Sequence, residues 1–296
     1  MEMRRYLNEQ KPKKREILSN FERLQKHFGF LVTTVKASYG ELDLQLRDDY
    51  FNVYFRGNSL VKASFLRNGE YAVEIHKKFS QGTGAERRLS DETPGENMSS
   101  RLRVKHNELH ALLQRDTINK LKRNIRKVNY GEEITFEQLL ISDNPPNDEF
   151  FIIDRQVTDS DLKGKRMDLL ALENAGGNRY RFVVIEVKLG KNPELREKVA
   201  KQLAEYVSHI LDDATFAKYK ACYERNYWQK HELGLLDLSH ENIEIEQGVR
   251  GLVVVGGYSA LGAEQAAELT KNHPEIEVEQ FFNRLGTGLD SGASSR

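Results

Sequence analysis

The sequence predicts an α/β protein in which a mixed sheet flanked by helices follows a separate β-rich N-terminal domain. Three observations predict this fold class. Residues 30–79 contain short alternating strands divided by turn signals such as Asn68-Gly69. Residues 80–100 are polar and aperiodic, as expected of a linker. Residues 135–271 place apolar strands next to segments with helical periodicity.

The N-terminal domain is predicted to span residues 1–79. A helix with an apolar stripe is expected at residues 13–28, followed by an antiparallel meander of four or five strands. Residues 80–100 would then form a flexible linker. After the linker, we expect one long helix at about 101–128.

The second domain is predicted to span residues 101–284, with a disordered tail at 285–296. An aromatic-rich helical insertion is expected at about 213–247. The short connection "NAGGN" predicts that the strands on either side of it form an antiparallel hairpin. The other predicted elements are a helix at 135–141, strands at 150–155, 166–172 and 180–189, a helix at 193–211, a strand at 251–255 and a helix at 260–271.

The composition indicates a soluble globular protein. The chain has 296 residues, of which 39% are hydrophobic and 30% are charged. No apolar run approaches the roughly 18–20 residues that cross a bilayer, so we expect no membrane partner. The first residues lack the apolar region of a secretory signal, and a single cysteine, Cys222, excludes an internal disulfide framework or a cysteine-based zinc site. A cytoplasmic location is therefore expected.

The formal net charge of +0 conceals a strongly basic segment between Arg101 and Lys127. Local charge governs attraction to a polyanion, so this segment is a candidate for contacting nucleic-acid phosphates. A solvated helix face is an equally open interpretation. The candidate nucleic-acid-binding residues are Lys120, Lys122, Arg123, Arg126 and Lys127.

The most informative stretch is "RFVVIEVKLG", which has the composition of a strand buried on both faces. Glu186 and Lys188 lie two residues apart and therefore point to the same face. Burying ionised side chains is costly unless they pair or bind something. In the preceding strand, Asp168 can approach Glu186 across the ladder if the two strands form a hairpin.

Two acids and a lysine at one end of a hairpin suit a hard divalent cation. Mg²⁺ prefers octahedral oxygen ligands, commonly one or two carboxylates with water and substrate phosphate oxygens. We therefore expect Asp168 and Glu186 to be metal ligands, with the Val187 carbonyl as a further oxygen and Mn²⁺ able to substitute. Lys188 would lie near the metal-bound water and steady charge on an attacked phosphate.

The segment "MDLLALENAGGNRYRFVVIEVKLG" resembles the signature of the PD-(D/E)XK nuclease superfamily. Asp168 takes the position of the motif's Asp, Glu186-Val187-Lys188 supplies E-x-K, and Met167 replaces the motif's Pro. In "QLAEY", Gln202 and Tyr206 are similar to the Q-x-x-x-Y element of the RecB-like branch. Upstream, "TFEQLL" resembles that branch's opening helix, whose Glu often completes the metal shell; Glu137 is the matching residue.

This resemblance implies a restriction-endonuclease-like fold and Mg²⁺-dependent endonucleolytic cleavage of DNA. The pattern is nearest to archaeal-type mismatch endonucleases and Shedu-like defence nucleases, which implies a role in DNA repair or phage defence. Cutting both strands would call for two sites, so a homodimer is expected. The implied catalytic residues are Glu137, Asp168, Glu186, Lys188, Gln202 and Tyr206, and the implied metal ligands are Glu137, Asp168, Glu186 and Val187.

Several alternatives remain open at the level of sequence. Glu186 could form an internal salt bridge with Lys188 or Arg166 at an exposed sheet edge. Glu149 or Asp154 could take the place of Glu137. The fold could bind or regulate nucleic acid without turnover, or the N-terminal domain could be a sensor that controls the nuclease. RNA, strandedness and the number of metals are equally open.

Overall fold

The computed structural model describes residues 3–10, 18–83, 99–128, 131–257 and 260–282. Over these residues the chain is an α/β protein with two five-stranded sheets, each flanked by helices. None of the helices in these ranges combines the length and the apolar composition needed to cross a membrane. The linker segment 84–98 and the predicted tail 285–296 lie outside the described residues.

The first sheet is an antiparallel meander in which neighbours along the chain are neighbours in space. The tight turn between its second and third strands has positive φ at both Arg56 and Gly57, the backbone twist that suits a two-residue hairpin. The meander expected from the sequence is therefore confirmed. Its strands are β1 (Leu42–Leu46), β2 (Tyr50–Phe55), β3 (Asn58–Phe65), β4 (Glu70–His76) and β5 (Ser99–Lys105).

The first helix, α1 (Asn20–Lys36), starts later than predicted. A capping box fixes its start: the Ser19 hydroxyl accepts from the Glu22 amide, and the Glu22 carboxylate accepts from the Ser19 amide. The predicted range 13–28 overlaps it only in part, and residues 11–17 lie outside the described ranges. The overlooked signal was the Ser-x-x-Glu spacing.

The single long helix predicted at 101–128 is corrected by the structure. Its first part is strand β5, because Leu102 and Val104 alternate with Arg101 and Arg103, which is the period of a strand. Besides α1, three helices belong with this sheet, and apolar residues of all three pack into its core. They are α2 (Lys77–Ser80), α3 (His106–Leu112) and α4 (Arg115–Lys127).

Residues 99–127, most of which the sequence assigned to the second domain, pack with the first sheet. The second unit begins with the next helix, and the predicted helix at 193–211 is divided in two. The last strand of the second unit, at Glu277–Phe282, was not predicted from the sequence. The elements are α5 (Glu132–Asp143), β6 (Phe150–Thr158), β7 (Arg166–Gly176), β8 (Arg179–Leu189), α6 (Glu194–Glu197), α7 (Val199–Leu211), α8 (Asp213–Glu232), β9 (Glu244–Gly257), α9 (Ala260–Asn272) and β10 (Glu277–Phe282).

The second sheet is mixed, with the strand order β10-β9-β8-β7-β6. Strands β6 to β8 are antiparallel, whereas β9 and β10 run parallel to β8. Helices α7 and α8 cover the face that carries Phe182 and Val184, and α5 covers the opposite face. A Cβ at Gly251 would lie 2.9 Å from Leu203, so this glycine lets α7 approach the sheet closely. Strand β8 is therefore central and buried on both faces.

Candidate metal centre

Strand pairing brings Asp168 and Glu186 side by side. Leu169 lies opposite Ile185 in the β7–β8 ladder, so the next residues in this register are Asp168 and Glu186. Beyond them, the Val187 amide donates a 3.0 Å hydrogen bond to Asp168 Oδ2. The Lys188 ammonium lies 3.7 Å from that same oxygen and 3.3 Å from Glu186 Oε2. The hairpin predicted from sequence thus gathers all three side chains at its end.

Glu186 is the most unusual carboxylate of this cluster. Its side chain is 0% exposed, yet neither of its oxygens accepts a hydrogen bond from any residue that the structure describes. Burial and then the neighbouring charge of Asp168 raise the pKa of Glu186 well above its usual range. A buried acceptor without a donor is destabilising, so this carboxylate is held in place at a cost.

Lys188 is surrounded by more negative charge than it can neutralise. Within the described ranges, four carboxylates have an oxygen within 3.3–3.9 Å of its ammonium nitrogen. Burial works against the charged form of Lys188, but Asp168, Glu186 and Glu133 outweigh it and raise the pKa of the lysine. The surrounding acids are Glu133, Asp168, Glu186 and Glu194.

Glu133 and Glu194 were not singled out from the sequence. Glu133 lies on α5, one turn before Glu137, and its Oε1 is 3.9 Å from Lys188 Nζ. Burial raises the pKa of Glu133 as well. The i, i+4 spacing of the two glutamates in "EEITFE" places them on one helix face and was the available signal. For Glu194, which is 3.8 Å from the lysine, the sequence offered only a helix start.

Glu137 is buried, and one of its oxygens is already occupied. Its Oε2 accepts hydrogen bonds from Gln156 Nε2 at 2.7 Å and from Arg155 Nη2 at 3.2 Å. Burial and then the charge of Asp168 raise its pKa to about 7. Residues of strand β6 therefore anchor Glu137 near the cluster through Oε2, and neither of these two bonds involves Glu137 Oε1.

Arg155 connects this anchor to the first sheet. Its guanidinium is fully buried, donates to Gln138 Oε1 at 2.6 Å, and lies 3.8 Å from Asp43 on β1. The same group lies 4.8 Å from the ring centre of Tyr54 on β2, a cation–π contact. The two units of the chain thus meet directly behind the candidate centre.

Gln202 and Tyr206 are joined to each other and to strand β7. The Gln202 amide donates to the Tyr206 hydroxyl at 3.0 Å, and that hydroxyl donates to the Arg166 carbonyl, also at 3.0 Å. Burial is the main cause of the raised pKa of Tyr206, with smaller contributions from Glu186 and Asp168. The pair therefore fixes the backbone of β7 two residues before Asp168.

The donor set fits a hard cation. Among the described residues, no group of three or more His, Cys, Asp or Glu side chains is already assembled as a metal site. Mg²⁺, however, often takes one or two carboxylates and completes its shell with water and phosphate oxygens. Asp168 and Glu186, whose oxygens accept no hydrogen bond from the described residues, supply those two carboxylates. The Val187 carbonyl stays a prediction as a further ligand.

The competing interpretations fare differently. Asp154 is bound within a separate ion cluster behind the site and does not replace Glu137. Lys188 does form the ion pair with Glu186 that the simplest alternative requires. That alternative also required an exposed sheet edge, whereas β8 lies between β7 and β9. Arg166 is exposed at the start of β7.

The basic residues of α4 lie in the first unit. Lys122 and Arg126 both bind Glu41 and stand over the ring of Phe55, so part of their charge is already paired. Arg126 and Lys127 also line a cavity of about 320 Å³ between α4 and α5. The remaining candidates of this segment are Lys120 and Arg123, which lie on the same helix.

Comparisons with known proteins give no family assignment. No protein-family model matches this chain, and neither a curated protein nor a solved structure matches it. The functional interpretation therefore depends on the geometry of the candidate centre and on the resemblance of its motif residues.

Proposed function

We propose that this protein is a metal-dependent nuclease that hydrolyses DNA phosphodiester bonds, built on a restriction-endonuclease-like domain. The observation that carries the proposal is the fully buried Glu186 carboxylate, which accepts no hydrogen bond from the described residues and stands beside Asp168 and Lys188. Binding a cation would compensate both the unmet acceptors and the excess of negative charge. A second support is the order of the motif along the chain.

The residues divide the work by position. Asp168 and Glu186 would hold Mg²⁺ or Mn²⁺, with the free oxygen of Glu137 and the Val187 carbonyl as further candidates. A bound divalent cation supplies Lewis-acid stabilisation of phosphate charge and a lower pKa for an attacking water. Lys188, kept protonated by its acidic neighbours, would orient that water and steady the phosphate. Gln202 and Tyr206 hold the strand that carries Asp168.

The proposed repair or defence role depends on the motif resemblance, and the proposed cytoplasmic location depends on the composition and the single cysteine. We infer a cytoplasmic enzyme of DNA repair or phage defence that acts as a homodimer on duplex DNA, since two sites are needed to cut two strands. RNA is the competing substrate. Incubation with labelled single-stranded and duplex DNA and RNA in Mg²⁺ or Mn²⁺ separates these substrates by which one is shortened.

Replacing the central residues tests the reaction itself. Glu186→Gln and Lys188→Met should each lower the rate of Mg²⁺-dependent plasmid nicking by about a thousandfold or more, because both remove charge at the reacting phosphate. Glu194→Gln is the matched control, since this acid also contacts Lys188 but is 39% exposed at the rim. It should keep most of the activity. Undiminished nicking by Glu186→Gln would reject the proposed mechanism.

A nucleic-acid-binding protein without turnover is the second candidate, and one observation favours it. The Lys188 ammonium lies at ion-pair distance from both Asp168 and Glu186, which satisfies part of their charge without a metal. Titration with Mn²⁺ followed by calorimetry discriminates the two. Binding in the unsubstituted protein that is lost in Glu186→Gln supports the nuclease, whereas no binding together with retained DNA affinity supports the alternative.

A further inference from the structure

A basic cleft adjoins the carboxylate cluster on the side of α7. Its volume is about 430 Å³, and it is lined by Lys165, Arg166, Lys198 and Lys201, with Gln202, Tyr206 and one acid, Glu205, beside them. The four cationic side chains come from the start of β7 and the start of α7. They are neighbours in the fold because α7 packs against the sheet.

The positive charge of this cleft is only partly neutralised. Lys165 binds Glu205, and Lys198 lies 3.8 Å from Glu194. Across the described part of the chain, no carboxylate lies at ion-pair distance from Arg166 or Lys201, and both side chains are exposed. These two groups are therefore available to an anionic ligand.

Hydrogen bonds and ion pairs connect the cleft to the candidate metal centre. Tyr206 lines the cleft, and its hydroxyl donates to the carbonyl of Arg166, two residues before Asp168. Glu194 bridges the two regions, because it contacts Lys198 at the cleft and Lys188 in the cluster. A chain of phosphates lying in the cleft would therefore reach the carboxylates at one end.

A nucleic-acid strand that approaches the acidic cluster needs positive charge next to it. An acid-rich cluster repels a polyanion, so a substrate strand needs neighbouring cations to reach it. Arg supplies a fork of donors that matches two phosphate oxygens, and Lys supplies a mobile point charge. Arg166 and Lys201 offer one of each.

We infer that this cleft binds the backbone phosphates of the nucleic-acid strand next to the bond held at the carboxylates, with Arg166 and Lys201 as its main contacts. The inference rests on the proposed nuclease function and adds the path of the substrate to it. It places the principal phosphate contacts on β7 and α7 instead of on α4.

Fluorescence anisotropy with labelled single-stranded and duplex DNA tests this surface, in EDTA so that metal-dependent cleavage does not occur. The double variant Arg166→Gln/Lys201→Gln should bind about tenfold more weakly at ~0.1 M salt. The slope of log Kd against log salt should fall by about 1 for each lost contact. The matched control is Lys120→Gln/Arg123→Gln on α4, which removes the same charge and should change affinity less than about threefold.

Equal or greater loss in the α4 variant, or unchanged binding in the cleft variant, would overturn the inference. Arg166 and Lys201 are both exposed, so the thermal midpoint of the double variant should stay the same. Lys201→Gln alone is a further control, because Lys201 lies on a helix and its substitution does not alter strand β7. Cleavage by the unsubstituted protein in Mg²⁺ is measured separately. If the unsubstituted protein does not cleave DNA but the cleft variant loses binding, the nuclease proposal is rejected and the cleft remains a binding surface. If the unsubstituted protein cleaves DNA and the cleft variant binds as well as before, only the inference about the cleft is rejected.

Discussion

Asp154 and Glu186 are equally buried carboxylates in the second sheet, but their surroundings are opposite. Both are 0% exposed. Asp154 Oδ1 accepts from Arg47 at 3.0 Å, and its Oδ2 accepts from Tyr223 at 2.9 Å and lies 3.2 Å from Arg5. Glu186 has no described hydrogen-bond donor at all. Both oxygens of Asp154 therefore have hydrogen-bond donors, whereas those of Glu186 have none among the described residues.

The balance of charge around each carboxylate explains the contrast. Burial alone would raise the pKa of Asp154, but Arg47, Arg5 and Lys230 outweigh it and hold that pKa below its usual value. Around Glu186, burial and Asp168 act in the same direction and Lys188 is the lone counter-charge among the described neighbours. Burial of an acid therefore does not mark a functional site. An acid left without enough partners is a candidate for one.

The cluster around Asp154 also has a clear structural role. It joins the N-terminal segment through Arg5 and the first sheet through Arg47 to β6 of the second unit. Lys230 on α8 completes it by donating to Gln45 on β1 at 3.0 Å. Such a network, drawn from four parts of the chain, fixes how the two sheets pack. Among the described residues, the ion pairs of Lys188 join only elements of the second unit.

The largest expected change in stability comes from a substitution in the ion cluster around Asp154. Asp154→Ala should lower the free energy of unfolding by about 3–5 kcal/mol, because it leaves buried cations unpaired. Urea unfolding of the full chain measures this loss. The contribution of Asp154 is present above the unfolded pKa of 3.8 and is lost as the pH falls through the lower folded value.

Glu186→Gln provides the contrasting measurement. It replaces a buried carboxyl group that accepts no hydrogen bond from the described residues and whose pKa is raised by burial, so the free energy of unfolding should stay the same or rise. A loss comparable with that of Asp154→Ala would show that Glu186 stabilises the fold and would remove the contrast between the two clusters.

An intermediate effect is expected from added metal. Saturating Mn²⁺ or Mg²⁺ should stabilise the folded protein by about 2.7 kcal/mol at a concentration one hundred times Kd. Thermal unfolding with and without EDTA reports this as a shift of the midpoint. The shift should disappear in Glu186→Gln and persist in Tyr223→Phe, a control in which the altered residue contacts Asp154 instead of Glu186. A shift that survives in Glu186→Gln would place the metal elsewhere.

The smallest effects separate the two tyrosines. Tyr223→Phe removes a hydrogen bond to a charged carboxylate and should cost about 1.5–3 kcal/mol, whereas Tyr206→Phe removes neutral bonds and should cost about 0.5–1.5 kcal/mol. Only Tyr206→Phe should also slow nicking, because its hydroxyl fixes the strand beside Asp168. Equal effects of the two variants on nicking would remove that role.

Local sequence was enough to predict the core of the candidate site. Asp168, Glu186 and Lys188 lie on two strands joined by a short turn, so alternation and the hairpin connection already place them together. Gln202 and Tyr206 follow on the next long helix, and the i, i+4 spacing puts them on one face. The start of α1 and strand β5 also have local signals in the sequence, a capping box and an alternation of apolar and basic residues.

Other parts of the site could not be read from neighbouring residues. Glu133 reaches Lys188 from a helix more than fifty residues away, and Arg155 supports Glu137 only because β1 and β2 pack behind it. The cationic cleft likewise needs the start of β7 to meet α7. Apart from the i, i+4 spacing of Glu133 and Glu137, these contacts have no periodic signature, because each depends on the docking of elements that are distant in the chain.

The sequence by itself determined which residues can do chemistry and which strands carry them, because strand and helix periodicities and short turns are properties of adjacent residues. The tertiary structure decided the charge balance: it surrounded Asp154 with cations and Lys188 with carboxylates. The physical reason is that the cost of a buried charge depends on every group within a few ångströms, and those groups come from all parts of the chain.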